Sequence, residues 1–143
     1  MKARDLFGIT GVVDVFVNGE KDHRTHNMVV TAGKNWVASM MKADSTVMTT
    51  MQVGSGTTAE ALTQTTLVTP VGNKENLTTS GGTVTDNVIV YECTFAAGTS
   101  TGTLNEAGIF NAGLTMLART KFGGPITKGA SDVVTIVWTI TVS

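Results

Sequence analysis

The stretch from Val133 to Val142 most constrains the fold, because apolar residues occupy every second position along it. In an extended strand these side chains, Trp138 among them, would share one face, while Thr135, Thr139 and Thr141 would share the other. The pattern predicts a half-buried strand. A strand this apolar is expected to lie centrally in a sheet rather than to fray at its edge.

The same alternation recurs along the chain between turns that contain glycine, and Asn18-Gly19 is a strong hairpin signal. About eight strands at this spacing predict an all-β fold, an antiparallel β-sandwich or jelly roll. Gly123-Gly124-Pro125 is expected to end a strand, and Thr69–Gly82 is expected to be mostly loop. The clearest predicted strands are Gly8–Val17, Arg24–Val30, Val47–Val53, Thr83–Ala97, Thr103–Phe110, Leu114–Phe122 and Val133–Val142.

One short helix is predicted over Ala32–Met41, where Trp36, Val37, Met40 and Met41 fall on one face. Thr31 is the expected N-cap. A helix this short is unstable alone in water, so its apolar face is expected to dock on the sheet. Residues 1–7 are expected to form an arm outside a single domain that spans residues 8–143.

Composition excludes several classes of function. The net charge of −1 gives no reason to expect nucleic acid as a partner, and no apolar run approaches the ~18 residues of a membrane span. The single Cys93 cannot form an internal disulfide. Charged residues make up only 15% of the chain, which is low for a free soluble monomer. This favours a surface that other subunits cover.

No motif in the sequence predicts catalysis or a cofactor. Gly54-Ser55-Gly56 is not followed by the lysine of a phosphate-binding loop. His23 and His26 lack the further ligands of a metal site, and Cys93 is predicted to be a buried, inert thiol. We therefore expect no enzyme activity, no cofactor and no metal.

Glu106 is an unusual acidic residue, because it lies in a predicted strand between Leu104 and Ile109. Arg119 lies in the next predicted strand. Cross-strand pairing across a hairpin makes Arg119 the candidate partner of the Glu106 carboxylate.

Six segments, which together cover most of the chain beyond residue 25, carry a resemblance to known proteins. They are Asn27–Trp36, Met51–Ala59 with its Val-Gly-Ser-Gly-Thr-Thr-Ala run, Thr103–Ala112, Met116–Arg119, Pro125–Lys128 and Val137–Thr141. These segments resemble a group of small tailed-bacteriophage virion proteins, some of which are tail or fibre proteins and others capsid decoration (cement) proteins. The resemblance implies a β-rich, often jelly-roll virion component without enzymatic activity.

The resemblance, together with the low charge of the chain, predicts a decoration protein that clamps major capsid protein subunits on the exterior of a virion assembled in the host bacterial cytoplasm. A homodimer or homotrimer is expected. A tail, collar or fibre component of the virion and a carbohydrate-binding sandwich remain alternatives. The predicted contact residues lie in the N-terminal arm, the Asn18–His26 hairpin and the Thr69–Gly82 loop. They are Lys2, Arg4, Phe7, Lys21, His23, Arg24, Asn73 and Lys74.

Overall fold

The computed structural model describes residues 8–43 and 45–143, and this part of the chain contains ten strands and one helix. The predicted arm and its residues Lys2, Arg4 and Phe7 lie outside the described residues. In chain order the elements are β1 Ile9–Val17, β2 Glu20–His26, β3 Met28–Val29, α1 Thr31–Met41, β4 Met48–Gly54, β5 Pro70–Asn76, β6 Thr83–Thr85, β7 Val88–Phe95, β8 Gly102–Asn111, β9 Met116–Lys128 and β10 Val134–Val142.

The strands form two antiparallel sheets, which confirms the predicted sandwich with ten strands in place of about eight. The first sheet has the order β2-β1-β10-β7-β6, and the second has the order β3-β9-β8-β4-β5. As predicted, β10 lies in the middle of a sheet, where Trp138 is opposite Val13 on β1 and Tyr91 on β7. The core lies between the sheets, and Trp138 is its largest fully buried side chain.

Helix α1 packs against β9 of the second sheet. The close approach requires Gly33, because a Cβ atom there would overlap the backbone carbonyl of Leu117. The prediction that Thr31 caps the helix is wrong: Val30 is the N-cap residue, and no side chain caps the helix. The Thr31 amide instead donates to the Leu62 carbonyl at 2.9 Å, which ties the loop between β4 and β5 to the start of the helix.

The predicted strand Arg24–Val30 is wrong as one element, because the chain changes sheets at Asn27. Strand β2 ends in the first sheet at His26, and β3 begins in the second sheet at Met28. The Asn27 side-chain oxygen accepts a hydrogen bond from Trp138 Nε1 at 2.9 Å, and the backbone N–H of Asn27 donates to the Gly11 carbonyl at 3.2 Å. These bonds satisfy polar groups where the chain crosses from one sheet to the other.

The predicted long strand Thr83–Ala97 is also wrong as one element. A tight turn at Asp86-Asn87 divides it into β6 and β7, which pair as a hairpin. Asp86 has a φ of 53°, a left-handed conformation that aspartate tolerates better than most residues. Within the predicted loop Thr69–Gly82, Pro70–Asn76 forms a regular edge strand that pairs with β4.

The expectation that Gly123-Gly124-Pro125 ends a strand is wrong, because β9 runs without interruption for 13 residues. The pairing of β9 with β8 changes register between Leu104, which is opposite Ile126, and Glu106, which is opposite Lys121. The three residues therefore lie in an irregular part of the ladder. On the other side of β9, β3 pairs only with Ala118 and Arg119. A proline is tolerated there, since no neighbouring strand requires its missing N–H.

Candidate functional site

The outer surface of the first sheet is a broad array of threonine and valine side chains, which we call the open face. Its side chains alternate with the buried ones along each strand and are exposed or half-buried. By contrast, the outward residues Glu106, Phe110 and Arg119 of the second sheet are buried. The open face comprises Thr10, Val12, Asp14 and Phe16 on β1, Thr135, Val137, Thr139 and Thr141 on β10, and Val90, Glu92 and Thr94 on β7.

Charges are sparse on the open face and concentrate near its β2 edge. Asp14 accepts hydrogen bonds from Arg24 Nε at 2.7 Å and Nη2 at 3.2 Å, and Lys21 Nζ lies 3.5 Å from the same carboxylate. The hydrogen bond from Arg24 lowers the pKa of Asp14 below its usual value, because it stabilises the charged form. Val137 lies between Asp14 on β1 and Glu92 on β7, whereas the residues opposite Thr139 are the uncharged Val12 and Val90.

The predicted contact residues of β2 lie at this edge but do not all face outward. Lys21 is exposed and its Nζ lies 5.9 Å from the centre of the Phe16 ring. Arg24 is exposed and holds Asp14. His23 is half-buried: its Nδ1 lies 2.7 Å from an Asp22 carboxylate oxygen, and its ring centre lies 6.5 Å from that of Phe122. His23 therefore belongs more to the packing between the sheets than to an outer surface.

The other two predicted contact residues lie on the opposite side of the sandwich. Asn73 and Lys74 belong to β5, the edge of the second sheet that packs nearest β7. Asn73 is exposed, whereas the Lys74 ammonium lies 4.6 Å from the centre of the Phe110 ring, within cation–π distance. The structure does not bring the β2 and β5 groups together, so they cannot form one compact contact patch.

The outer surface of the second sheet is covered by the loop 55–69, and the buried Glu106 holds this loop in place. Glu106 Oε1 accepts hydrogen bonds from the Thr69 amide at 2.7 Å and the Gly56 amide at 3.2 Å. Its Oε2 accepts from the Val68 amide at 3.0 Å and from Arg119 Nε at 2.8 Å. The predicted pairing of Glu106 with Arg119 is confirmed. We call this group the Glu106 clamp.

Arg119 extends the clamp to the middle of the same loop. Its Nη1 donates to Gln64 Oε1 at 3.2 Å, and its Nη2 donates to the Thr58 carbonyl at 2.9 Å. Both charged side chains are fully buried, with no exposed area. Such a pair is retained only when hydrogen bonds satisfy its remaining donors and acceptors, and the loop backbone supplies them.

The glycines of Gly54-Ser55-Gly56 have a role in this clamp. A Cβ atom on Gly56 would lie 2.6 Å from Glu106 Oε1, so only glycine lets the loop backbone reach the carboxylate. No local signal in the sequence predicts the contact of Gly56 with Glu106, because Glu106 lies 50 residues further along the chain.

Cys93 is fully buried in the core, as predicted. Its Sγ lies 3.5 Å from the carbonyls of Glu75 and Asn76, and burial raises the pKa of the thiol to about 12. Only about one thiol in 10⁴ would be ionised at pH 8, and the thiolate is the reactive form.

We therefore expect the native protein to resist modification by a disulfide reagent such as 5,5′-dithiobis(2-nitrobenzoic acid) at about pH 8. Modification should become complete in guanidinium chloride, as followed by released chromophore. The matched control is Thr94→Cys in a Cys93→Ala background, which places an exposed thiol on the same strand. That thiol should react at once. Rapid reaction of native Cys93 would contradict the buried assignment.

Within residues 8–43 and 45–143, no cluster of three or more metal-binding side chains is found, and no helix is long and apolar enough to cross a membrane. His23 and His26 lie on opposite faces of β2, since the first is half-buried beside Phe122 and the second is exposed. Trp36, expected to be buried, is half-buried and donates from Nε1 to the Thr46 carbonyl at 2.7 Å.

Comparison of the chain with family models, curated proteins and solved structures gave no match.

Proposed function

We propose that this chain is a non-enzymatic structural protein of a tailed-bacteriophage virion, a decoration protein that binds the exterior of the capsid and clamps neighbouring major capsid protein subunits. The observation that carries the proposal is the difference between the two outer surfaces. The chain covers the second sheet with its own loop 55–69, whereas the open face keeps its threonine and valine side chains accessible. A weakly charged, rigid sheet surface suits burial against another protein.

The resemblance supports the proposal at the level of the fold. The resembling segments are distant in sequence, yet the structure brings several of them to the Glu106 clamp. Gly56 comes from Met51–Ala59, Glu106 from Thr103–Ala112 and Arg119 from Met116–Arg119. These residues therefore have a shared structural role, holding the loop on the second sheet, which leaves the open face as the surface for contacts between subunits.

The mechanism of clamping is avidity. When one rigid domain contacts two capsid subunits, the second contact is effectively intramolecular, and modest individual affinities combine into tight binding. Separating the two capsid subunits then requires breaking their contacts with the decoration protein as well. A homodimer or homotrimer at a symmetry axis would multiply this effect, and assembly in the bacterial cytoplasm would precede release with the virion.

The test uses heads of the phage that encodes the chain, prepared without this protein and then incubated with purified protein. We expect saturable binding to the head exterior, located by electron cryomicroscopy. Thr139→Lys should weaken binding about tenfold or more, because an unpaired charge in a buried contact costs over ~1.4 kcal/mol. The matched control is Thr65→Lys, which places the same charge on the exposed loop of the covered sheet.

Both variants must retain the wild-type melting temperature, since both positions lie on the surface. Binding to the tail or collar would favour the alternative of a tail component. Absence of the protein from every part of the virion would overturn the proposal. Equal binding by the two variants would show that the open face is not the contact surface.

A further inference from the structure

The hairpin between β8 and β9 has at its tip a leucine whose backbone is left-handed. The Leu114 amide donates to the Asn111 carbonyl at 3.0 Å, which closes a tight turn, and Leu114 itself has a φ of 65°. A hairpin loop of this kind usually has glycine at the left-handed position, and a bulky residue there is an outlier. The neighbouring Gly113 does not occupy that position. Within residues 8–43 and 45–143, the other non-glycine residues with a positive φ are small or polar, namely Asn18, Ala43, Asp86 and Ser100.

Burial within the chain does not compensate for this conformation, because the Leu114 side chain is 64% exposed. The tip that carries it is nevertheless fixed by Asn111, whose Oδ1 accepts from the Thr115 amide at 2.8 Å and whose Nδ2 donates to the Thr46 carbonyl at 3.4 Å. Trp36 Nε1 donates to the same carbonyl at 2.7 Å, so the tip is tied to helix α1. An exposed apolar side chain on a strained but well-held backbone is typical of a binding site.

The surface beside Leu114 has the composition of a contact between proteins. A depression of about 370 Å³ opens next to the tip, and Thr115 and the half-buried Trp36 are part of its lining. The other lining residues are small or polar and carry no charge; they are Ala32, Asn35, Ser39 and Ser45. An apolar anchor beside a tryptophan, with uncharged polar groups around it, matches the anatomy of an interface hot spot.

We propose that Leu114 is a second anchor of the decoration protein, and that it inserts into an apolar depression on a major capsid subunit next to the one that the open face contacts. This inference rests on the proposed function. Clamping by avidity requires two contact surfaces on one rigid domain. The open face belongs to the first sheet, whereas Leu114 lies at the tip of a hairpin of the second sheet, so the two surfaces are separate. A tip contact with a second copy would instead leave each domain with one capsid contact.

The test compares Leu114→Asn with the wild-type protein on heads prepared without it. Asparagine adopts the left-handed conformation more readily than leucine, and the change removes the apolar anchor. We expect the melting temperature of the variant to rise by about 2–5 °C and its affinity for heads to fall about tenfold or more. The matched control is Leu62→Asn, the same change at an exposed leucine without a positive φ. It should bind heads as the wild type does and should gain no stability.

The possible outcomes separate this inference from the proposed function. Unchanged head binding by Leu114→Asn would overturn the inference and leave the proposed function intact. A lower melting temperature would show that Leu114 stabilises the fold instead. Conversion of a wild-type dimer to a monomer in Leu114→Asn, seen by light scattering while head binding is unchanged, would assign the tip to a contact between copies. Failure of the wild-type protein to bind heads would refute the proposed function, and the inference with it.

Discussion

Replacing Glu106 with alanine is expected to lower the free energy of unfolding by about 3–5 kcal/mol, the range observed when one partner of a buried ion pair is removed. The change leaves the guanidinium of Arg119 buried without its counter-charge. It also leaves the amides of Gly56, Val68 and Thr69 without an acceptor. Urea denaturation followed by far-ultraviolet circular dichroism measures the effect. Hydrogen exchange at the three amides should accelerate more than in the core strands.

The matched control is Glu92→Ala on β7, an exposed glutamate of the open face, which should change stability by no more than about 0.5 kcal/mol. The double variant Glu106→Ala/Arg119→Met should be less destabilised than the sum of the two single variants, because it removes the orphaned charge. A Glu106→Ala protein as stable as Glu92→Ala would show that the clamp contributes nothing to the fold.

Replacing Trp138 with alanine is expected to lower the free energy of unfolding by about 3–5 kcal/mol, since the indole is the largest fully buried side chain. The cavity would open between Val13 and Tyr91, in the middle of the first sheet. The indole also donates to Asn27 Oδ1 at 2.9 Å, so the change removes a hydrogen bond at the point where the chain changes sheets. Thermal and urea denaturation measure the loss.

Trp138→Phe separates the two contributions, because it keeps most of the ring volume and removes the donor. We expect it to cost less than the alanine variant but more than Thr139→Ala, whose side chain is next in sequence and faces outward. If Trp138→Ala and Thr139→Ala proved equally stable, Trp138 could not occupy the core as described.

The regular strands could be predicted because alternation reports directly on which face is buried. Val133–Val142 was predicted as a central strand on this basis, and β10 confirms it. Alternation does not reveal a tight turn, which is why Thr83–Ala97 was predicted as one strand. The pair Asp86-Asn87 has the composition of a turn, but the prediction took it as part of the strand, and the chain reverses there.

Two further errors arose because local signals depend on neighbours that are distant in sequence. Gly123-Gly124-Pro125 usually ends a strand, but β9 tolerates it because the partner on one side is too short to require the missing N–H. Asn27 carries no local signal for a change of sheet. Its function there depends on Trp138, which lies 111 residues further along the chain.

The functional surfaces could be predicted less completely from the sequence than the fold. The pairing of Glu106 with Arg119 followed from cross-strand geometry, but the loop amides that complete the clamp lie 37 to 50 residues from Glu106. The predicted contact residues come from an arm, a hairpin and a loop, and the sequence alone does not reveal how these segments are placed relative to one another. The structure separates Lys21 and Arg24 from Asn73 and Lys74, because β2 and β5 are edges on opposite sides of the sandwich.

The central position of β10 also determines the order in which the polypeptide can fold. Ile9 pairs with Val142, so the first described strand finds its main partner only once nearly the whole sequence has been synthesised. Until then β1 and β7 would each present an unpaired edge capable of recruiting strands from other molecules. Contacts so distant in sequence slow folding to the millisecond-to-second range, and they make chains interrupted before residue 134 prone to aggregate.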